Sequence, residues 1–344
     1  MNDDGNIEAM LERAAGLAAS GDYPAAIDWL RACHRRIADV RVERLLAEYR
    51  YQAYLRDPPQ PARATPWPSQ VDDLFAGVAG VPEINAQELN AATLTAGIRR
   101  HGALLVRGLL SEPRALAMAA GVQHAMDACE AWHRTGMGES ESPWYSRLAL
   151  PADCEIAPAR VWVEEAGGVW TVDSPRMLQE LIECFAATGV TAAIEGYFGE
   201  RAMLSVGKST LRRVPSTIKL ADWHQDGAFM GSEIRSVNCW LSLSHCGEDA
   251  SGLDILPRRL EQVLPTGSHG AYFDWSVGAG MVEQAAEGLA MASPVFAPGD
   301  AMLFDHFFLH RTGIPAAIAR DRYAIESWFF APSAYPAQQV PLRL

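Results

Sequence analysis

Apolar residues between positions 7 and 55 recur at helical spacing: Leu11, Ala14, Ala15 and Ala18, then, past a Gly21-Asp22 break, Ala26, Ile27, Leu30 and Cys33. That period predicts a helical hairpin with room for a third helix. Residues 57–68 hold five prolines, which sustain neither a helix nor a central strand and favour an extended connector. The expected organisation is therefore a helical N-terminal extension over 1–56, a Pro-rich linker over 57–68, and a main domain over 69–344. The extension is read as a cap on that domain, with a protein–protein contact as its other candidate role.

After the linker, a helical stretch near 87–100 leads into His101-Gly102-Ala103-Leu104-Leu105-Val106-Arg107-Gly108, an apolar run between glycines that predicts a buried strand. Helices are expected at about 112–134 and 176–198. Beyond residue 200 the texture changes to short strands divided by turn residues: 202–212, 217–224, 236–244, 253–256, 294–297, 301–304 and 322–330. No helical crossovers alternate with them, which argues against a doubly wound parallel sheet and for a sandwich or jelly roll. The long irregular stretch 258–293 is read as a lid.

With 49% hydrophobic and 21% charged residues, the chain can bury a full core. Its net charge of −13 repels phosphate backbones and anionic surfaces, so neither nucleic acid nor membrane is an expected partner. Six cysteines form no C-x-x-C pair, and the acidic N-terminus lacks the basic start of a signal peptide. A cytoplasmic location is expected.

Candidate chemistry centres on Trp223-His224-Gln225-Asp226-Gly227. In an extended segment the i and i+2 side chains share a face, so an imidazole and a carboxylate can bind one ion. About one such His-x-Asp/Glu pair is expected by chance in this composition, so the pair is uninformative without its context. The context is Pro298-Gly299-Asp300, an apolar run, and His306 and His310, followed twelve residues after His310 by Arg322-Tyr323-Ala324-Ile325. An arginine flanked by apolar residues needs a buried anion or bears a large desolvation cost.

In order and separation, these pieces resemble the phytanoyl-CoA dioxygenase-like branch of the iron(II)/2-oxoglutarate-dependent oxygenases. The resemblance runs from about 84 to 331 and includes Asn238-Cys239-Trp240-Leu241-Ser242-Leu243 and Ser251-Gly252-Leu253-Asp254-Ile255-Leu256-Pro257. It implies an α+β chain with a double-stranded β-helix (a cupin-like jelly roll) and flanking helices. Its metal ligands are His224, Asp226 and His310, and its cofactors are Fe(II), 2-oxoglutarate as cosubstrate, and O2. Arg322 would bind the distal carboxylate of 2-oxoglutarate, Thr312 would donate a hydrogen bond to it, and Trp240 would pack its acyl chain. Related halogenases carry a small residue at the carboxylate position, so Asp226 implies hydroxylation, desaturation or another oxidation of an unactivated C–H in a small-molecule substrate.

Two departures stand out. The Pro-Gly-Ser/Thr-His common in the family is replaced after Pro257 by Arg258-Arg259-Leu260, and the His310-to-Arg322 spacing is one longer than usual, leaving Arg320 as a rival. His306 has the strand parity of His310, which is preferred for the Thr-Gly that follows it. Arg212, Arg213 and Lys219 are candidates to meet an anionic substrate, and Phe229 and Met230 to line its cavity. The alternative functions are a metal and 2-oxoglutarate-binding sensor without turnover, and a cupin-like isomerase.

Overall fold

The computed structural model describes residues 7–57, 71–135, 142–150, 154, 156–336 and 339–344; beyond Asp57, the proline-rich connector lies outside them. The N-terminal part forms three helices, α1 (Ile7–Ala19), α2 (Tyr23–His34) and α3 (Val40–Arg56), rather than only a hairpin. Asp22 and Asp39 cap the second and third by accepting from Ala25 N–H (3.1 Å) and Arg41 N–H (2.9 Å). Ala26, Ile27, Leu30 and Cys33 are buried as their spacing predicts, whereas Ala15 is exposed and Met10 takes its place beside Ala14. Ala47 and Tyr51 of α3 join the main core, and the buried Arg50 donates to the Arg343 carbonyl at 2.7 Å.

Next come β1 (Glu83–Asn85), α4 (Ala91–Ala96), β2 (Ala103–Arg107), α5 (Glu112–Thr135), α6 (Ala157–Glu165) and β3 (Gly168–Trp170). The expected helix over 176–198 is two, α7 (Pro175–Ala187) and α8 (Val190–Phe198), bent by 73° where Gly189 takes a left-handed φ of 78°. Then follow β4 (Met203–Ser205), β5 (Thr210–Val214), α9 (Gly227–Met230), β6 (Ser236–Ser242), β7 (Gly252–Ile255), α10 (Ala279–Ala286), β8 (Ala301–Phe304), β9 (His310–Gly313), β10 (Arg322–Phe330) and β11 (Pro341–Arg343). No single helix among the described residues is long and apolar enough to cross a membrane.

Nine strands make one open, mixed sheet in the order β1-β2-β8-β6-β10-β4-β11, with β5 also on β10 and β3 on β5; only β1 and β2 run parallel. The remaining pair, β7 and β9, forms a small antiparallel sheet. Period-two alternation divides the large sheet into two faces. Cys239, Leu241, Leu303, Ile325 and Phe329 pack under α5, α7 and α8, while Trp240, Met302, Phe304, Ala324, Trp328 and Phe330 pack toward Leu253 and Ile255 of β7. The site lies on this second side.

Three expected strands need correction. The run 202–212 is cut between β4 and β5, and the interruption places Lys208 on a turn. Residues 217–224 pair only through an isolated bridge at His224, and despite the alternation of Thr217-Ile218-Lys219-Leu220 the Leu220 side chain is left exposed. Likewise 294–297 contributes a single bridge, Phe296 to Cys246. The stretch 258–293 is irregular as expected but contains α10.

The Gly299-Asp300 turn sets the start of β8. Gly299 has φ 96°, and an added Cβ would sit 2.2 Å from the Leu110 carbonyl oxygen. The buried Asp300 carboxylate accepts from Arg107 Nη1 at 2.8 Å and from Gly108 and Ala297 N–H, both at 2.9 Å. It thus ties the end of β2 to the start of β8. Gly299→Ala combines left-handed strain with a backbone clash and should cost about 3 kcal/mol. Urea unfolding should show this as a lower midpoint at unchanged slope; a shift of only a few tenths of a kcal/mol would mean that the turn relaxes freely.

Candidate metal centre

Two distant segments are clasped at the centre. His224 N–H donates to the His310 carbonyl at 2.9 Å, and His310 N–H donates back to that of His224 at 3.1 Å. This reciprocal pair lies at the edge of β9 and brings the two ring centroids to 4.4 Å. Each imidazole is then turned the same way, with Nδ1 of His224 facing the Asp222 carbonyl and Nδ1 of His310 facing that of Phe308, both at 3.1 Å. A carbonyl only accepts, so each Nδ1 bears the hydrogen and each Nε2 keeps a free lone pair.

Asp226 reaches the same point by a different route from the one its spacing suggests. Its φ and ψ of −64° and −20° are helical, so the carboxylate arrives from the first turn of α9 rather than from an extended strand. The neighbouring motif residues explain the turn. Gln225, fully buried, donates to the carbonyls of Gln262 (3.0 Å) and Phe307 (2.6 Å) and accepts from Leu264 N–H (2.7 Å). At Gly227 a Cβ would meet Val263 at 2.6 Å and the His306 carbonyl oxygen at 3.0 Å. Glycine is what fits there.

His224, Asp226 and His310 offer ligand atoms all within 4.8 Å of one another. The carboxylate oxygens are differentiated: Oδ2 lies 3.8 Å from His310 Nε2, while Oδ1 takes the Lys208 ammonium at 3.1 Å. Burial raises the Asp226 pKa, but Lys208 and the two imidazoles outweigh it and hold it at about 2. Burial, with His224 beside it, pushes His310 down to about 4. Near neutral pH these two groups are an ionised carboxylate and an uncharged imidazole, the forms that bind a metal.

Arg322 is 2% exposed, on the face of β10 turned toward the centre. One Nη donates to the Gly252 carbonyl at 2.8 Å, the guanidinium lies 5.5 Å from the Trp240 ring centroid, and Nε has no hydrogen-bond partner among the described residues. A buried cation with unspent donors, and with no carboxylate in salt-bridge contact among the described residues, is chemically able to receive an anion. Trp240 itself packs on Phe296. Thr312 follows His310 by two along β9 and shares its face, opposite Leu253.

The rivals go elsewhere. Arg320 is 55% exposed and paired with Asp249 at 2.5 Å. His306 bonds Ser236 Oγ at 2.9 Å and faces the Ser232 carbonyl; the chain leaves β8 at Phe304, so strand parity does not reach it. Arg213 is turned outward to Gln123 and Glu130, and Lys219 is exposed. Arg212 faces inward with Glu326, at 3.4 Å. Met230 is in the core, but Phe229 stands 45% exposed at the mouth, its ring centroid 6.4 Å from that of His224.

Sequence reasoning missed Lys208, Glu326, Phe273 and Trp275. Glu326 was findable, since it follows Arg322 by four on one strand and so shares its face. Lys208 and the lid aromatics sit in irregular chain with no periodicity to place them. A second group with ligand-type atoms, Cys129, His133 and Glu164, is chemically different. Glu164 already accepts from Tyr145 (2.5 Å) and Arg147 (2.7 Å), and burial pushes the Cys129 thiol up to about 12. The Glu164 carboxylate is thus already engaged by a guanidinium and a phenol.

No protein-family model and no curated protein matches the chain. Among solved structures it is similar to EctD from S. alaskensis with 2-oxoglutarate and 5-hydroxyectoine, at 15% identity over 76% of this chain and 86% of that one, with a TM-score of 0.49. It is similar to the non-heme monooxygenase ThoJ at 13% identity, covering 73% and 84%, TM-score 0.49. It is also similar to SnoK, a non-heme alpha ketoglutarate dependent carbocyclase from nogalamycin biosynthesis, at 13% identity, covering 72% and 86%, TM-score 0.45.

Proposed function

We propose that the protein is a non-haem iron(II)/2-oxoglutarate-dependent dioxygenase on a jelly-roll core, oxidising an unactivated C–H of a small molecule. The observation that carries this reading is the joint presentation of two Nδ1–H imidazoles and one carboxylate oxygen, together with a buried arginine whose Nε has no hydrogen-bond partner among the described residues. Two histidines and one carboxylate on one side of an ion leave positions open for a chelating cosubstrate and O2. Held by these residues, iron(II) would activate O2, the oxidant, with 2-oxoglutarate as the two-electron co-reductant, so that one oxygen atom goes to succinate as CO2 is lost and the other serves the oxidation of the substrate.

The chain's own residues do the positioning. Arg322 receives the distal carboxylate as a guanidinium fork, Thr312 donates its hydroxyl to the same group, and the flat face of Trp240 packs the carbon chain. The Asp222 and Phe308 carbonyls hold the imidazoles in the tautomer that ligates. The lid residues and Phe229 exclude water from the open side.

Anaerobic addition of iron(II) and 2-oxoglutarate should produce the weak visible charge-transfer band of that chelate, and His224→Ala or His310→Ala should abolish it. Arg322→Ala should weaken 2-oxoglutarate by about a hundredfold, the worth of roughly two charge-assisted hydrogen bonds, and spare iron affinity. Absence of a band from the wild type, or equal loss of both ligands in the arginine variant, would overturn the assignment.

A second prediction concerns pH. His310 titrates near 4 when folded and near 6.5 when unfolded, so the unfolded chain binds more protons between those values. Its contribution is therefore complete above about pH 6.5 and fades as pH falls through 4. Between pH 7 and pH 4 the metal-free wild type should lose about 3 kcal/mol more unfolding free energy than His310→Gln. Parallel losses in urea titrations would show that the imidazole is not buried as described.

A further inference from the structure

We propose that the recess beside the metal centre is built for a small anionic substrate with a flat apolar body, the Lys208 ammonium holding the charge and Phe229, Phe273 and Trp275 the body. This rests on the function proposed above and names the substrate class for the same site.

Five ionised side chains interact across the recess: Lys208, Arg212 and Arg322 against Asp226 and Glu326. Arg212 and Glu326 cancel one another, with Thr210 Oγ1 donating to the same carboxylate at 3.1 Å. With iron and cosubstrate bound, the ion's two positive charges are balanced by Asp226 and the near carboxylate of 2-oxoglutarate, and Arg322 by the distal one. Lys208, which stays bonded to Asp226 Oδ1 at 3.1 Å, then supplies the one positive charge of the group that the carboxylates do not offset. In a chain of net charge −13, a recess left with one positive charge is not a background effect. The lysine is also accessible, at 25% side-chain exposure.

A run of aromatic rings leads from that ammonium through Phe229 and Trp275 to His224, alongside the direct contact of Lys208 with Asp226. The Phe229 ring lies 4.7 Å from Lys208 Nζ and 5.7 Å from Trp275. Phe273 stacks on Trp275 at 4.9 Å and 7°, and Trp275 stands 5.9 Å from the His224 ring. Phe229 and Phe273 are both exposed large hydrophobics, which water disfavours when they cluster.

This aromatic wall is preformed. The Asp222 carboxylate accepts from Tyr272 N–H (2.9 Å) and Ser276 Oγ (2.5 Å), and Val277 N–H donates to the Trp223 carbonyl (2.8 Å), which ties the aromatic segment to the chain just before His224. Fixing it in advance lowers the ordering cost of binding a flat ligand.

The test uses zinc(II)-loaded protein with saturating 2-oxoglutarate, so that Arg322 is occupied and nothing turns over, and titrates 2-naphthoate and its neutral isostere 2-naphthamide by calorimetry. The carboxylate should bind about tenfold tighter, the yield of one charge-assisted contact. Lys208→Met should erase that preference and Lys208→Arg should keep it. Phe229→Ala and Trp275→Ala should weaken both probes alike, with zinc retention measured in every variant. A preference that survives Lys208→Met, equal affinity of the two probes for the wild type, or no binding of either overturns the inference. If 2-oxoglutarate itself fails to bind, the proposed function falls with it; if it binds and the preference is missing, only this inference does.

Discussion

The reciprocal backbone hydrogen bonds between His224 and His310 are the constraint on which the centre depends. They join a segment with no strand of its own to the edge of β9, across 86 residues of chain. Side-chain contacts alone would leave two long rotamer-rich segments free to slide. Paired main-chain bonds set the register, and register decides which face each imidazole presents. Everything else at the centre is orientation added to that clasp: two carbonyls that turn the rings, a helical turn that swings in Asp226, and a buried glutamine that pins the turn.

The division of the large sheet into two faces explains how a charged site survives inside an apolar protein. One face meets helices with a mainly apolar set that includes Leu241, Leu303, Ile325 and Phe329, while the other shares its apolar cluster with a band containing Arg322, Glu326, Arg212 and Thr210. Burial works against each charge in that band, pulling the Arg322 pKa down and opposing Glu326 ionisation. Arg212, together with Arg322 and the Thr210 hydroxyl, outweighs burial for Glu326, whose pKa is lowered on balance. Among the described residues Arg322 makes no direct ion pair, and Glu326 acts on it only through space, so its desolvation is only partly offset.

Preorganisation characterises the irregular stretch over 258–293. Gln225, Asp222 and the Trp223 carbonyl each hold one part of the stretch between 262 and 277. The residues beside the ligands therefore position both the ligands and the wall that faces them. A change at Gln225 or Asp222 acts on two structures at once, so its effect on ligand geometry is not separable from its effect on the lid.

Much of the centre was legible in the chain itself, because its signals are local or periodic. The alternation along Arg322–Phe330 places arginine, alanine and tryptophan on one face, the Gly299-Asp300 pair marks a left-handed turn with a capping carboxylate, and helical spacing gives the buried stripe of α2. Tertiary structure alone decided the rest. It separated Arg320 from Arg322 by surface pairing against burial, and His310 from His306 by where β8 ends. It made Asp226 the start of a helix, split one expected helix at Gly189, and brought Lys208 and Trp275 to the site from irregular chain. Such segments take their shape from hydrogen bonds to distant backbone, and no period within them records which carbonyl they will meet.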